Sequence, residues 1–180
     1  MEFLHSIDKS IVDFVHYGLQ NSLFDFLMPK ITALGEAGII WIVISLILIA
    51  TKKHRKTGIT CLVALFLSLL FTDLSIKQIV QRPRPITAYP IENSLIKIPT
   101  SYSFPSGHTS SSFAAAWVLY RIMDKYKLCY LALAGIMAFS RMYLYVHYLS
   151  DVVGGIVVGI ISATLAMIIV NKYVKRRNQL

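Results

Sequence analysis

Charge is what this sequence has least of. Only 15% of its 180 residues are Asp, Glu, Lys or Arg, against about 25% in a soluble globular chain, while 56% are apolar. That balance leaves too little polar surface for a water-soluble monomer. The apolar residues come in long runs, which excludes disorder, and no period of about 20–50 residues marks a solenoid. Cysteine is nearly absent: Cys61 and Cys129 lie in apolar surroundings and read as reduced packing residues with no disulfide. No basic region followed by an apolar stretch and a small-residue cleavage site opens the chain, so a cleaved signal peptide is not expected. The formal charge of +9 is split among short clusters instead of lying on one polar face, which argues against nucleic acid as a partner.

What is present is apolar sequence of membrane-spanning length. A bilayer core about 30 Å thick needs about 20 apolar residues of helix. Five runs qualify, near 31–50, 58–80, 106–123, 128–148 and 152–174, so the predicted fold is an all-α integral membrane bundle forming one domain over 1–180. Residues 1–30 differ: Asp8, Asp13, His16, Asn21, Asp25 and Lys30 interleave with Ile11, Phe14, Val15, Phe24 and Leu27 at helical spacing. They predict an amphipathic segment on the membrane surface, with a sixth span as the alternative.

Lys and Arg in the connections set the orientation. Lys52, Lys53, Arg55 and Lys56 follow the first run, Arg121, Lys125 and Lys127 the third, and Lys172, Lys175, Arg176 and Arg177 close the fifth. Eleven of the eighteen basic residues thus fall on one side, predicted to be cytoplasmic. The other side holds residues 82–105, the junction 147–151, and an N-terminal stretch where Glu2, Asp8, Asp13, Asp25 and Glu36 outnumber Lys9 and Lys30.

Ionisable residues within or at the ends of spans are costly and ask for a reason. Lys77 and Arg84 close the second run, His108 opens the third, Arg141 and His147 end the fourth, and Asp151 opens the fifth. All belong to the outer side. Cations at one depth repel one another unless an anion joins them, and phosphate suits both the fork of Arg and the point charge of Lys. Pro105-Ser106-Gly107-His108 adds a helix start whose backbone N–H groups suit an anion, although Ser-Gly-His alone reads equally as a helix cap. His147 and Asp151 are four residues apart, close enough for the carboxylate to hold one ring nitrogen and leave the other as a nucleophile. His108 is then the natural general acid. Lys30, Arg82 and Lys97 read as interfacial snorkelling side chains. Asp73, one turn before Lys77, either holds that ammonium toward the site or forms a structural pair. Gly155 and Gly159 make a small-residue face for close helix packing.

Lys77, six residues and Arg84-Pro85; Pro105-Ser106-Gly107-His108; and Ser140-Arg141, five residues, His147, three residues and Asp151 together resemble the three-part signature of the type 2 phosphatidic acid phosphatase superfamily. The resemblance covers about residues 58–174. It implies that Lys77, Arg84, Arg141, Ser106 and the Gly107 backbone bind phosphoryl oxygens, that His147 attacks phosphorus, that Asp151 orients His147, and that His108 protonates the leaving group. It implies no metal and no cofactor, and the sequence offers no compact Asp/Glu cluster of the kind that holds Mg²⁺. One departure is visible: Leu149 stands where lipid phosphatases often have Pro, and it is expected to loosen the turn between His147 and Asp151.

The expected activity is removal of a terminal phosphate from a membrane lipid at the outer leaflet of a membrane such as the bacterial cytoplasmic membrane. Undecaprenyl diphosphate is favoured over phosphatidylglycerophosphate and phosphatidic acid, because Arg82 could neutralise a second phosphoryl group. A soluble sugar phosphate is the weaker alternative. A transporter or channel for anions is the rival of another class, yet the cytoplasmic halves, such as Ile47-Leu48-Ile49 and Leu62-Val63-Ala64, offer no polar pathway.

Overall fold

The computed structural model describes residues 2–177, with side chains from His5 to Arg176. Glu2 and Arg177, counted in the charge balance above, lie outside the described side chains. Helices and their connections make up the whole architecture, with no strand among the described residues. The chain runs through α1 (Glu2–Asp13) with a π-helical turn (Phe14–Gly18), α2 (Ser22–Leu34), α3 (Ile39–Ala50), α4 (Arg55–Phe71) with a π-helical turn (Thr72–Ile76), α5 (Lys77–Val80) and α6 (Pro85–Ala88). A long connection then leads to α7 (Gly107–Ile122), α8 (Lys127–Tyr143) and α9 (Leu149–Arg177).

The chain is an integral membrane protein. Lys52–Ala88 and Leu149–Arg176 are long and apolar enough to cross a bilayer, and α2 with the stretch Glu36–Ala50 makes a third such unit if the pair, bent by 49°, is one span. At 16 and 17 residues, α7 and α8 reach only about 24–26 Å at ~1.5 Å per residue. The first run therefore starts earlier than expected. Asn21 caps α2 by accepting from the Phe24 N–H at 2.9 Å, and the helix passes through Lys30 before it breaks at Ala37 and Gly38, whose φ values are +48° and +72°. α1 turns Asp8, Val12 and, through its π-helical turn, Val15 and His16 into the protein against residues 143–148.

α7 is the central element, packed on α4, α8 and α9. Its Ala114, Ala115, Ala116, Val118 and Leu119 are buried in the main apolar core with Trp41 and Cys61. Its serines are satisfied across helix contacts: Ser112 accepts from Trp41 Nε1 at 2.9 Å, and Ser110 pairs with Ser68 at 2.7 Å. Outward faces of α3, α4 and α9 carry exposed Val43, Leu46, Ile47, Phe66, Val157 and Ile168, as a lipid-facing surface requires.

Gly155 and Gly159 set the approach of α9 to α7. A Cβ at Gly155 would lie 2.7 Å from the Ser106 carbonyl oxygen, and one at Gly159 2.6 Å from that of Ser110. Both obstacles are backbone, so neither can swing aside. Gly159→Leu is expected to cost at least about 1–3 kcal/mol through overpacking. A lower melting temperature of the detergent-solubilised protein checks this, and an unchanged one would show that α9 does not need the close contact.

Candidate active site

Five chain segments bring the charged residues to one end of the bundle, with Arg84 supplied by the stretch just before α6. α5 supplies Lys77, α7 begins with Gly107 and His108, α8 ends with Arg141, and the turn into α9 carries His147 and Asp151. Arg121 lies at the far end of α7, Lys127 at the start of α8, Lys172 near the end of α9, and Lys52–Lys56 before and at the start of α4, which leads to α5. The π-helical turn Thr72–Ile76 sits immediately before Lys77, a place where such turns often re-aim a side chain. Gln81 at φ +49°, followed by Pro83 and Pro85, stops the helix and lets Arg84 fold back.

Lys77, Arg84, Gly107, His108, Arg141 and His147 line one cavity of about 550 Å³. Glu36, Ser68, Asp73 and Ser101 add polar groups to its wall, and Ile42, Leu62, Leu65, Phe66 and Leu69 form an apolar stretch beside the cations. Ser106 and Asp151 do not line it. Ser106 is fully buried as the cap of α7, its Oγ accepting from the Thr109 N–H at 3.4 Å and the Thr109 hydroxyl at 2.9 Å. Ser106 thus caps α7 directly beneath Gly107, which does line the cavity. Asp151 lies behind His147, its Oδ2 3.5 Å from Nδ1.

Each cation is held differently. Lys77 donates to Asp73 Oδ1 at 2.6 Å, and a Cβ on Gly107 would lie 3.1 Å from Asp73 and 3.4 Å from Lys77 Nζ. The pair therefore stands in the cavity wall, which decides between the two expectations for Asp73. Arg84 donates to the carbonyls of Ser101 at 2.7 Å, Tyr102 at 3.1 Å and Val146 at 2.9 Å, and to Ser101 Oγ at 2.9 Å. Arg141 donates to Thr32 Oγ1, while its buried Nε finds no partner among the described residues. Neither Arg84 nor Arg141 has a carboxylate oxygen within 4.0 Å among the described residues. Two buried guanidinium groups without a directly paired carboxylate, with Glu36 and Asp73 farther off in the cavity wall, leave donors free for an anion.

The protonation of His147 follows from its neighbours. Arg84 Nη1 lies 2.8 Å from His147 Nε2, and a guanidinium can only donate, so Nε2 carries the lone pair and Nδ1 the proton. Nδ1 faces Ser103 Oγ at 3.4 Å, and that hydroxyl donates to Asp151 Oδ2 at 2.5 Å. Ser103 thus bridges the ring and the carboxylate, a residue the sequence reading missed. Nothing in its spacing marked it, because it approaches through the connection between α6 and α7. Asp151 Oδ2 also accepts from the Tyr148 N–H at 2.8 Å, the reach-back contact of a capping box. The turn thus keeps this capping contact with Leu149 at the first helical position. His108 Nε2 has no hydrogen-bond partner among the described residues and stands 3.6 Å from Glu36 Oε2.

Arg82 departs from expectation most. It does not extend to the interface as a snorkelling side chain but lies behind Asp151, donating to that carboxylate at 2.8 Å and to Asp8 at 2.8 Å. It has no free fork for a second phosphoryl group. Among the described residues no three His, Cys, Asp or Glu side chains gather in a metal-binding arrangement.

Comparison with known proteins agrees with this geometry. Residues 57–175 match the PAP2 superfamily, and the chain belongs to that family. It is 29% identical over 121 residues to an undecaprenyl-diphosphatase of Sulfolobus acidocaldarius, a match taking in 67% of this chain and 58% of that relative. It is 28% identical over 190 residues to a lipid A 4'-phosphatase of Bacteroides thetaiotaomicron, covering 98% of this chain and 82% of the relative. Its fold matches the crystal structure of a transmembrane PAP2-type phosphatidylglycerolphosphate phosphatase from Bacillus subtilis with a TM-score of 0.75 at 23% identity, over 96% of this chain and 88% of that one.

A tetrahedral oxyanion such as orthovanadate is expected to bind in the cavity. Arg141→Ala should weaken it by about one to two orders of magnitude, the ~1.5–3 kcal/mol of a hydrogen bond to a charged group. Calorimetric titration of the two proteins checks this, and equal affinities would remove Arg141 from the anion site.

Proposed function

We propose that this protein is a lipid phosphate phosphohydrolase that removes a terminal phosphate through a phosphohistidine on His147. The observation that carries the reading is the pair of guanidinium groups, Arg84 and Arg141, with no carboxylate oxygen within 4.0 Å among the described residues, beside an imidazole whose lone pair faces Arg84, in a cavity with an apolar stretch of wall. A phosphoryl group entering the cavity supplies the missing anion and takes the Arg84 donor that now rests on Nε2. Nε2 then attacks phosphorus, and the positive charge growing on the ring is stabilised by Asp151 through Ser103 and Nδ1. His108 donates a proton to the departing oxygen, and in the second half it takes a proton from the water that hydrolyses the phosphohistidine. Lys77, Arg84, Arg141 and the first N–H groups of α7 hold the equatorial oxygens, with Ser106 acting by capping that helix. These protein cations do the electrostatic work a metal would do, so the reaction is proposed to be metal-independent.

The apolar wall formed by Ile42, Leu62, Leu65, Phe66 and Leu69 favours a substrate with a long hydrocarbon chain over a sugar phosphate. Undecaprenyl diphosphate remains the first candidate, now on the relative that is named for it and not on Arg82. Phosphatidylglycerophosphate and phosphatidic acid come next. A transporter would need a polar route across the whole membrane, whereas the core between α4 and α7 beyond the site is built from Cys61, Ala64, Ala115 and Leu119. The site is assigned to the extracytoplasmic face, with the C-terminus in the cytoplasm and five spans in the bilayer. The proposed single domain includes α1 and α2, which lie outside the family match yet supply Asp8 and Thr32 to the site's surroundings.

His147→Ala is expected to abolish phosphate release, and EDTA to leave the wild type active. His108→Ala should slow turnover about 10²–10⁴-fold on a lipid phosphate and far less on an activated aryl phosphate. Equal losses on both substrates would refute the acid role. Comparing kcat/KM for the three lipids then ranks the candidates.

Sidedness has its own test. The exposed Cys129 is first replaced by Ser, and single cysteines are placed at exposed Asn93 and Lys53. A reagent that cannot cross the membrane should modify the first and spare the second in intact cells. The reverse pattern would invert the orientation.

A further inference from the structure

Asp151 does not face His147 alone. Its Oδ1 accepts from Arg82 Nη1 at 2.8 Å, and a guanidinium at that distance cancels much of the field by which a carboxylate would stabilise charge on the imidazole. Yet Arg82 is itself shared. Its Nη2 donates to Asp8 Oδ2 at 2.8 Å, its Nη1 also donates to Ser150 Oγ at 2.7 Å, and it covers the Tyr148 ring at 4.0 Å from the centroid. Asp8 further accepts from the Ser150 N–H at 2.9 Å and from the Ser150 hydroxyl. Asp8 is 6% exposed and Asp151 fully buried. Two carboxylates thus share one guanidinium, and the set carries one net negative charge.

We propose that Asp8 is a positioning residue for the phosphatase reaction: by sharing Arg82 it keeps one net negative charge behind His147, and through Ser150 it pins the turn of α9 that carries Asp151. The proposal rests on the reading of His147 as nucleophile. Without Asp8, Arg82 and Asp151 form a neutral pair, and the ring that gains charge on bonding to phosphorus has no compensating anion. Attack on phosphorus, rather than departure of the leaving group, is the step Asp8 serves. Asp8 stands on α1, outside the residues that match the family.

Asp8→Asn keeps the shape and removes the charge. It is expected to lower kcat about tenfold or more, the size common for losing a partner that orients a reacting side chain, with KM little changed. The loss should be the same for a lipid phosphate and an activated aryl phosphate, unlike that of His108→Ala. Adding Arg82→Gln to Asp8→Asn restores the single negative charge on Asp151 and should recover most of the activity. A purely structural role gives the opposite: the double variant is no better than Asp8→Asn alone. That result, or a wild-type kcat for Asp8→Asn, overturns the proposal. Should Asp8→Asn not fold by its melting curve, the double variant decides: kcat within a few-fold of wild type supports the proposal, and a loss as large as that of Asp151→Asn overturns it. Full activity of His147→Ala would instead overturn the histidine mechanism, and this proposal with it.

Discussion

Like charges held together at the end of a helical bundle repel, and the rest of this structure is arranged around making that tolerable. Lys77 and Arg82 are paired with carboxylates, whereas Arg84 is held by three carbonyl oxygens and Arg141 by a threonine hydroxyl. Neutral acceptors orient a guanidinium without cancelling its charge. The field of Arg84 and Arg141 is therefore left for an incoming anion, whereas Lys77 shares its charge with Asp73 in the cavity wall and Arg82 is neutralised behind Asp151.

That distribution depends on helix packing far from any charge. α9 reaches α7 closely enough to seat Asp151 because Gly155 and Gly159 present no side chain to the Ser106 and Ser110 carbonyls. The same approach lets the Ser106 N–H donate to the Asp151 carbonyl at 3.0 Å, joining the start of α7 to the start of α9. Tyr145, at φ +59°, holds the buried turn between α8 and α9 in a conformation that bulky residues rarely adopt, and its hydroxyl donates to Asp13 at 2.7 Å. The N-terminal helix is thus tied to the active-site turn at two points, through Asp8 and through Asp13.

The relatives are named for different lipids: an isoprenoid diphosphate, a lipid A phosphate and a phosphatidylglycerophosphate. In this chain the cavity joins motif residues, with polar Glu36, Ser68, Asp73 and Ser101 beside them, to an apolar stretch from α3 and α4, namely Ile42, Leu62, Leu65, Phe66 and Leu69, none of which belongs to the three motifs.

The sequence by itself determined the membrane class, the helical fold and the motif residues, because hydropathy and the cost of intramembrane charge act on each segment separately. It placed Lys77, Arg84, Gly107, His108, Arg141 and His147 together correctly, since charges at one depth leave few other arrangements. Tertiary structure alone decided the partners. Ser103 and the carbonyls of residues 101 and 102 arrive through a connection without periodicity, Thr32 comes from α2, which crosses the boundary expected at residue 30, and Asp8 reaches Arg82 across 74 residues of sequence. Arg82 was misread for the same reason: a basic residue two positions from Arg84 has the same local signature whether it faces a ligand or a carboxylate behind it. Which of the two it meets is set by how α1 docks on the start of α9, a long-range contact that no local pattern encodes.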